Sequence, residues 1–272
     1  MKILTIIGAR PQFIKAATIS RVVASLNGVE EVIVHTGQHF DVNMSAIFFA
    51  EMNIPAPDYN LNIASLSHGA MTGRMLERIE KIIIDEKPDW VLVYGDTNST
   101  LAGALAASKL HIKVAHVEAG LRSYDMRMPE EQNRILTDRL SSVLFCPSVN
   151  AVRNLHSEGY SNNATQIVEV GDIMFDAALY YGDRARTPDW LGALGMTDPF
   201  ILATIHRAEN TDNLERFVGI IAALNKIHVS TPVVMPLHPR TRQVLHDQGL
   251  ELNVHVVDPV SYLEMVCLLK SC

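Results

Sequence analysis

Short, almost unbroken apolar runs alternate with amphipathic segments along the chain, and that alternation limits what it can fold into. The runs Ile3–Ile7, Val32–His35, Trp90–Tyr94, Val114–Val117, Val143–Cys146 and Ile167–Val170 are rich in β-branched residues and too short for helices. Between them lie helical patterns near Pro11–Leu26, Asn43–Met52, His68–Asp85, Ser99–Leu110, Glu130–Leu140 and Val149–Glu158. Strands apolar on both faces, each followed by a helix, predict an α/β fold with a parallel sheet covered on both sides. Ile54–Ser67, which carries Pro55 and Pro57, reads as a loop.

The alternation weakens between Gly171 and Gly195, where Pro188 and Gly192 sit among polar residues. This places a domain junction near Gly171, dividing the chain into residues 1–171 and 172–272, with a helix at about Met174–Arg186. A second series follows: strands Phe200–Thr204, Pro232–Met235 and Val254–Val257, with helices Asn213–His228, Arg240–Gln248 and Ser261–Ser271. Three strands in about 100 residues, ending on an apolar helix, are expected to be an incomplete domain, since domains typically hold ~100–150 residues.

Composition narrows the function classes. A formal charge of −7 gives no bulk attraction for nucleic acid. Cys146, Cys267 and Cys272 form no motif spacing, which suits a reducing compartment. Only five uncharged residues lie between Lys2 and Gly8, too few for a signal-peptide core, and no apolar run approaches the ~20 residues that span a bilayer. A cytoplasmic protein with no membrane contact is expected.

In open parallel sheets, ligands bind beyond the carboxyl ends of the strands. Each strand here ends on polar residues: Gly8-Ala-Arg10-Pro-Gln-Phe-Ile-Lys15, Thr36-Gly-Gln38-His39, Gly95-Asp96-Thr97-Asn98-Ser99, then Glu118 and Arg122. In the second series Thr204-Ile-His206-Arg207-Ala-Glu209-Asn210 and Pro236-Leu-His238-Pro-Arg240 do the same. Some of these residues also have purely structural readings. Asp96 to Ser99 can cap a helix, Glu118 can pair with Arg122, Glu130 and Glu131 suit a first helical turn, and Arg134 and Arg139 can pair with nearby acids. His116 and Glu118 share one strand face, but no third metal ligand at a recognised spacing accompanies them. Without G-x-G-x-x-G, a Walker loop or G-x-S-x-G, neither a nicotinamide cofactor nor a serine nucleophile is indicated. Three acidic spots converging, at Asp96, at Glu118 and at Glu130 or Glu131, would repel, so at least one acid is expected to hold a proton, giving an acid and a base together. Arg10, Lys15, His206 and Arg207 would balance a diphosphate. The residues point to proton transfer on a phosphorylated, nucleotide-linked substrate.

Gly8-Ala-Arg10-Pro, Gly95-Asp96-Thr97, His116-Val-Glu118-Ala-Gly-Leu-Arg122, Pro129-Glu130-Glu131-Gln-Asn133-Arg134 and His206-Arg207 together resemble the non-hydrolysing UDP-N-acetylglucosamine 2-epimerases. The resemblance implies two Rossmann-like domains facing across a cleft, as in the glycosyltransferase-B architecture, and a homodimer. It implies inversion at C2 of a UDP-sugar without metal or other cofactor, through elimination of UDP to a 2-acetamidoglucal and re-addition, in the supply of cell-surface polysaccharide precursors. Matched motif by motif, Asp96, Glu118 and Glu130 become catalytic acids and bases, and His206 stabilises the leaving diphosphate. Arg10, Lys15, Gln38, His39, Arg122, Asn133, Arg134, Arg207, Glu209 and His238 become substrate-binding residues.

There are three departures from the family pattern. The family's Ser-Gly-Gly loop and following Glu would lie beyond Cys272. Gln38-His39-Phe40-Asp41 keeps only part of the pattern that holds an activating second UDP-sugar. Gly171-Asp-Ile-Met-Phe-Asp176, His206-Arg-Ala-Glu-Asn210 and Pro236-Leu-His238-Pro-Arg-Thr241 resemble the branch acting on UDP-2,3-diacetamido-glucuronate. A hydrolysing epimerase releasing N-acetylmannosamine and UDP, and an inactive nucleotide-sugar-binding fragment, are the alternative expectations.

Overall fold

A computed structural model describes residues 1–38, 54–160, 164–195 and 199–272. The expected helix Asn43–Met52 and the candidate His39 lie outside the described residues. The chain forms two compact units, Met1–Ala177 and Ala178–Cys272.

The first unit is built on a seven-stranded sheet, all of whose pairings are parallel. In chain order the strands are β1 (Lys2–Ile7), β2 (Glu30–His35), β3 (Tyr59–Asn60), β4 (Trp90–Tyr94), β5 (Lys113–Val117), β6 (Val143–Cys146) and β7 (Gln166–Glu169). They lie side by side as β3-β2-β1-β4-β5-β6-β7. The helices are α1 (Arg10–Val23), α2 (His68–Glu86), α3 (Asn98–Lys109), α4 (Pro129–Leu140), α5 (Val149–Ser157) and α6 (Ile173–Gly182), which crosses into the second unit. Six strands match the expected runs to within two residues at each end. β3 was expected to be loop. Its two residues are too few to show an alternation, and it exists only because Val34 and His35 offer a free edge to Tyr59 and Asn60.

Central strands explain the unbroken apolar runs. Leu4, Ile6, Val91, Val93 and Val114 face a layer made by α2 and α3, while the next residues along β1 and β4 turn to the opposite face. In α2, Met71, Met75, Ile79, Ile82 and Ile83 form one stripe at helical spacing. The Ala-rich α3 lies close to the sheet: a Cβ on Gly103 would come within 2.7 Å of Ile6 Cδ1.

The second unit has a three-stranded parallel sheet, β8 (Ile201–Leu202), β9 (Val233–Pro236) and β10 (His255–Val257), ordered β10-β9-β8. Its helices are α7 (Asp189–Ala193), α8 (Ala208–Thr211), α9 (Leu214–His228), α10 (Pro239–Asp247) and α11 (Tyr262–Ser271). All four residues of β9 are buried, with Met235 packed on Phe217 and Ile221 and Val234 packed on Leu191, Phe200 and Leu268. The expected strand Phe200–Thr204 is shorter than its apolar run because only Ile201 and Leu202 pair with β9. The helix expected to reach Arg186 stops at Gly182. The short α7 and α8 were not expected; four or five residues cannot show a helical period.

No described helix is long and apolar enough to cross a membrane. Cys146 and Cys267 are buried and Cys272 is exposed, all as free thiols.

Candidate active site

The carboxyl ends of β1, β4 and β5 are adjacent because those strands are neighbours in the sheet. The turns that follow them are held by side chains rather than by ladder bonds. Gln12 is the first of these and is buried. Its Oε1 accepts from the Gly8 and Ala9 N–H groups at 2.8 and 3.0 Å. Its Nε2 donates to Tyr94 O at 2.7 Å and Thr100 Oγ1 at 2.9 Å, tying the turn after β1 to the turn after β4. Sequence reasoning missed Gln12; the available signal was a Gln at the third position of a helix, where a capping box forms. Gly8 is obligatory for this closeness, since a Cβ there would lie 2.1 Å from Thr36 Oγ1 and 2.2 Å from Ser99 Oγ. Gln38, expected to bind substrate, has its Oε1 on Ser99, accepting from N at 3.1 Å and Oγ at 2.9 Å.

Asp96 follows Gly95, whose φ of +62° turns the chain out of β4. Thr97 caps α3, accepting from Thr100 N at 3.3 Å, so Asp96 is left free of the capping role. Arg134 reaches from α4 to form an ion pair with the Asp96 carboxylate. Asn133 donates to Asp96 O at 2.9 Å. Both contacts come from successive residues of α4, so that helix sets the position of Asp96.

The two adjacent glutamates at the start of α4 separate sharply. Glu131 is buried and accepts from Ser123 N at 3.0 Å, Tyr124 N at 2.8 Å and Arg134 Nη1 at 2.8 Å. Burial works to raise its pKa, but the Ser123 and Tyr124 N–H groups and Arg134 outweigh it and hold the carboxyl below its ordinary range. Glu130 is exposed, and no described residue pairs with it.

Glu118 directly follows β5, with a φ of +71° that a non-glycine residue rarely adopts. The N–H groups of Glu118 and Ala119 both donate to Phe145 O, at 3.1 and 3.0 Å, which holds the backbone in this turn. Its carboxylate pairs with Lys15 of α1, whose side chain is 7% exposed against 25% for Glu118. The alternative pairing with Arg122 does not occur. The repulsion expected among the acids is therefore offset, with Lys15 on Glu118 and Arg134 on Asp96. Glu118 also lines a pocket of about 240 Å³ together with Ile19, Phe145, Pro147, Asp172 and Asp176. Arg10 sits half-buried at the start of α1.

Behind these acids lies a buried polar network. His116 Nδ1 is 2.7 Å from Asp138 Oδ1, and its Nε2 is 2.7 Å from Gly95 O. Asp138 Oδ2 also meets Arg122 Nη2 at 2.8 Å and Gly120 N at 3.2 Å. Arg122 Nε and Nη2 grip Glu158 at 2.6 and 2.9 Å. Burial would lower the Arg122 pKa, but Glu158 and Asp138 raise it. Arg122 was expected to touch substrate; its side chain is 1% exposed and fully engaged inside. His116 cannot offer a metal a nitrogen, since both are occupied. Among the described residues, no three His, Cys, Asp or Glu side chains are arranged to hold a metal ion.

In the second unit, His206, Arg207, Glu209 and His238 are exposed beyond the ends of β8 and β9. The His206 and His238 rings lie 5.6 Å apart, and His238 Nδ1 accepts from Arg240 N at 3.2 Å as the cap of α10. A pocket of about 630 Å³ is lined by Leu237 and Pro239, the neighbours of His238 in the chain, with Arg242, Gln243, His246 and Asp258.

The sequence profile of the family described as UDP-N-acetylglucosamine 2-epimerase matches residues 22–272. The UDP-2,3-diacetamido-2,3-dideoxy-D-glucuronate 2-epimerase of Pseudomonas aeruginosa is 60% identical over 271 residues, which are 99% of this chain and 76% of that protein. The structure of Methanocaldococcus jannaschii UDP-GlcNAc 2-epimerase in complex with UDP-GlcNAc and UDP superposes with a TM-score of 0.84 at 44% identity, covering 100% of this chain and 77% of that one. That of the Neisseria meningitidis UDP-GlcNAc 2-epimerase bound to UDP-GlcNAc superposes at 0.86 with 32% identity, over 100% and 76%.

Proposed function

The chain belongs to the UDP-N-acetylglucosamine 2-epimerase family, and from that premise we propose that it inverts C2 of a UDP-2-acetamido sugar by elimination and re-addition of UDP. A base takes the C2 proton, its electron pair forms the C1–C2 double bond, and the bond from C1 to the diphosphate oxygen breaks. Protonation of C2 from the opposite face and return of the diphosphate oxygen to C1 complete the inversion, so atoms and charge balance.

The observation that carries this reading is the pair Asp96 and Glu118, set beyond adjacent strands with a cation on each carboxylate. Glu118 borders the 240 Å³ pocket and is assigned proton transfer at C2. Glu130, the exposed acid of α4, is assigned the transfer on the other face, with Asp96 held by Arg134 as the third acid. Arg10 and Lys15 are assigned to the sugar phosphate, and His206, Arg207, Glu209 and His238 to the diphosphate. Asn133, Arg122 and Gln38 act through the groups they position rather than through substrate. The nucleotide contacts are thereby assigned to residues 172–272 and the acids to residues 1–171. We place the reaction in the cytoplasm, carried out by a homodimer, in the supply of cell-surface polysaccharide precursors.

Turnover in heavy water tests the chemistry: the epimerised product carries deuterium at C2, and retention of the original hydrogen there overturns the mechanism. Free N-acetylmannosamine appearing with equimolar UDP would instead identify a hydrolysing enzyme. Glu118→Gln is expected to abolish turnover, a loss of roughly 10²-fold or more, while UDP binding persists.

A second reading concerns the sugar. The 60% identity to an enzyme named for UDP-2,3-diacetamido-2,3-dideoxy-D-glucuronate favours a substrate with a 3-acetamido group and a 6-carboxylate. The ratio of kcat/KM on that compound and on UDP-N-acetylglucosamine decides between them.

A further inference from the structure

We infer that His116 is held as an imidazolium and is a positioning residue that fixes the turns carrying Asp96 and Glu118 relative to each other. The inference about position rests on the roles proposed above for those two acids; the charge state of His116 does not.

The charge follows from hydrogen-bond accounting. His116 is completely buried, and each ring nitrogen faces one oxygen of the protein. Nε2 faces the carbonyl oxygen of Gly95 at 2.7 Å, which can only accept, so Nε2 must carry hydrogen. Nδ1 faces Asp138 Oδ1 at 2.7 Å. The other oxygen of Asp138 receives the Arg122 guanidinium at 2.8 Å and the Gly120 N–H at 3.2 Å, surroundings that favour an ionised carboxylate. An ionised carboxylate can only accept, so Nδ1 carries hydrogen as well. The count of charges agrees: His116 and Arg122 stand against Asp138 and Glu158, two cations and two anions. Of the neighbours around them, Cys146 and Tyr160 stay neutral, because burial, reinforced by Asp138, pushes the Cys146 thiol up to about 12 and also raises the Tyr160 phenol, while Arg139, which donates to Glu158 O at 2.8 Å, and Glu169 add one charge of each sign.

The positioning role follows from what the network touches. The Gly95 peptide unit is gripped twice from β5: its N–H donates to Val117 O at 3.0 Å, and its carbonyl accepts from His116. The next residue is Asp96. At its other ring nitrogen, His116 holds Asp138, which in turn binds Gly120 N and Arg122. Gly120, with a φ of +77°, ends the turn that Glu118 opens at +71°, and Arg122 follows two residues on. One imidazolium–carboxylate pair therefore links the backbone beside Asp96 to the backbone beside Glu118. Nothing in it reaches the pocket, so its effect on catalysis can act only through geometry, where an error of about 1 Å can cost 10²-fold.

The test has two arms. In protein labelled with ¹⁵N-histidine, at pH 7.5, both ring nitrogens of His116 are expected to carry hydrogen, with the signals assigned by their loss in His116→Gln. Asp138→Asn is expected to leave one nitrogen bare. A wild-type His116 with one protonated and one bare nitrogen overturns the imidazolium. In the second arm, His116→Gln is expected to lower kcat on the UDP-sugar by about 10–100-fold with KM changed less than about threefold and the far-UV spectrum retained. Unchanged kcat, or a KM that rises in step with the fall in kcat/KM, overturns the positioning role. Should His116→Gln fail to fold, Asp138→Asn takes its place in the kinetic arm. A wild-type protein inactive on every UDP-sugar would sink the proposed reaction, while the nitrogen spectrum still decides the charge of His116.

Discussion

Gly120→Ala puts the turn behind Glu118 under a measurable load. Gly120 has a φ of +77°, and an added Cβ would meet Ala151 O at 2.5 Å, Ala151 C at 2.9 Å and Leu155 Cδ1 at 3.0 Å. The first two are backbone atoms of α5, so no side-chain rotation relieves the clash. A left-handed alanine costs about 1–2 kcal/mol, and forcing an extra methyl into a packed site costs about 1–3 kcal/mol. Alanine also restricts the unfolded chain, which offsets about 0.4–1 kcal/mol. A net loss of about 2–4 kcal/mol is expected, or a fall in Tm of roughly 5–15 °C. Gly28→Ala is the matched control. Its φ is +78°, and among the described residues nothing lies within 4 Å of the added Cβ. It suffers the backbone term alone, about 1 kcal/mol. Denaturant unfolding of both variants isolates the contact term by difference. Because the Gly120 N–H also holds Asp138, Gly120→Ala is expected to lower kcat and Gly28→Ala to leave it unchanged. If the two variants lose equal stability, the close approach of α5 to the Glu118 turn is not what constrains Gly120.

Two further predictions probe the buried charges. Arg122→Lys keeps the charge but loses the fork that serves Asp138 and Glu158 together, and is expected to cost roughly 2–3 kcal/mol; a loss below about 0.5 kcal/mol in urea unfolding would mean that the network tolerates a point charge. Glu131 has a folded-state pKa below its unfolded value, so its contribution is present above the unfolded value of about 4.3 and is lost as pH falls through the folded one. Glu131→Gln should therefore be less stable than wild type at neutral pH, with a gap that narrows as pH drops below about 4, and a gap constant from pH 7 to 3 would contradict the lowered carboxyl.

The strands were legible because burial on both faces demands unbroken apolar runs, and each run had to end where side chains reach solvent or a ligand. That is why Asp96 and Glu118 stood out: each comes within two residues of the end of a strand that is buried along all but its first residue. β3 was illegible because its pairing depends on an edge supplied by β2, not on its own two residues. Gln12 went unnoticed because its five partners lie on two separate turns, as far away as Thr100.

The sequence by itself determined the α/β alternation, the family and the acids at the strand ends, because these follow from local periodicity and from motifs a few residues long. Only the tertiary structure decided the partners. Arg122, four residues from Glu118, turns inward to Asp138, while Lys15, 103 residues away, reaches Glu118. Adjacent Glu130 and Glu131 look alike in the sequence, yet one is exposed and the other is enclosed by three donors. The physical reason is common to both cases: an ionised side chain takes the partner that packing delivers, and strand order and helix direction, not separation along the chain, set which partner that is.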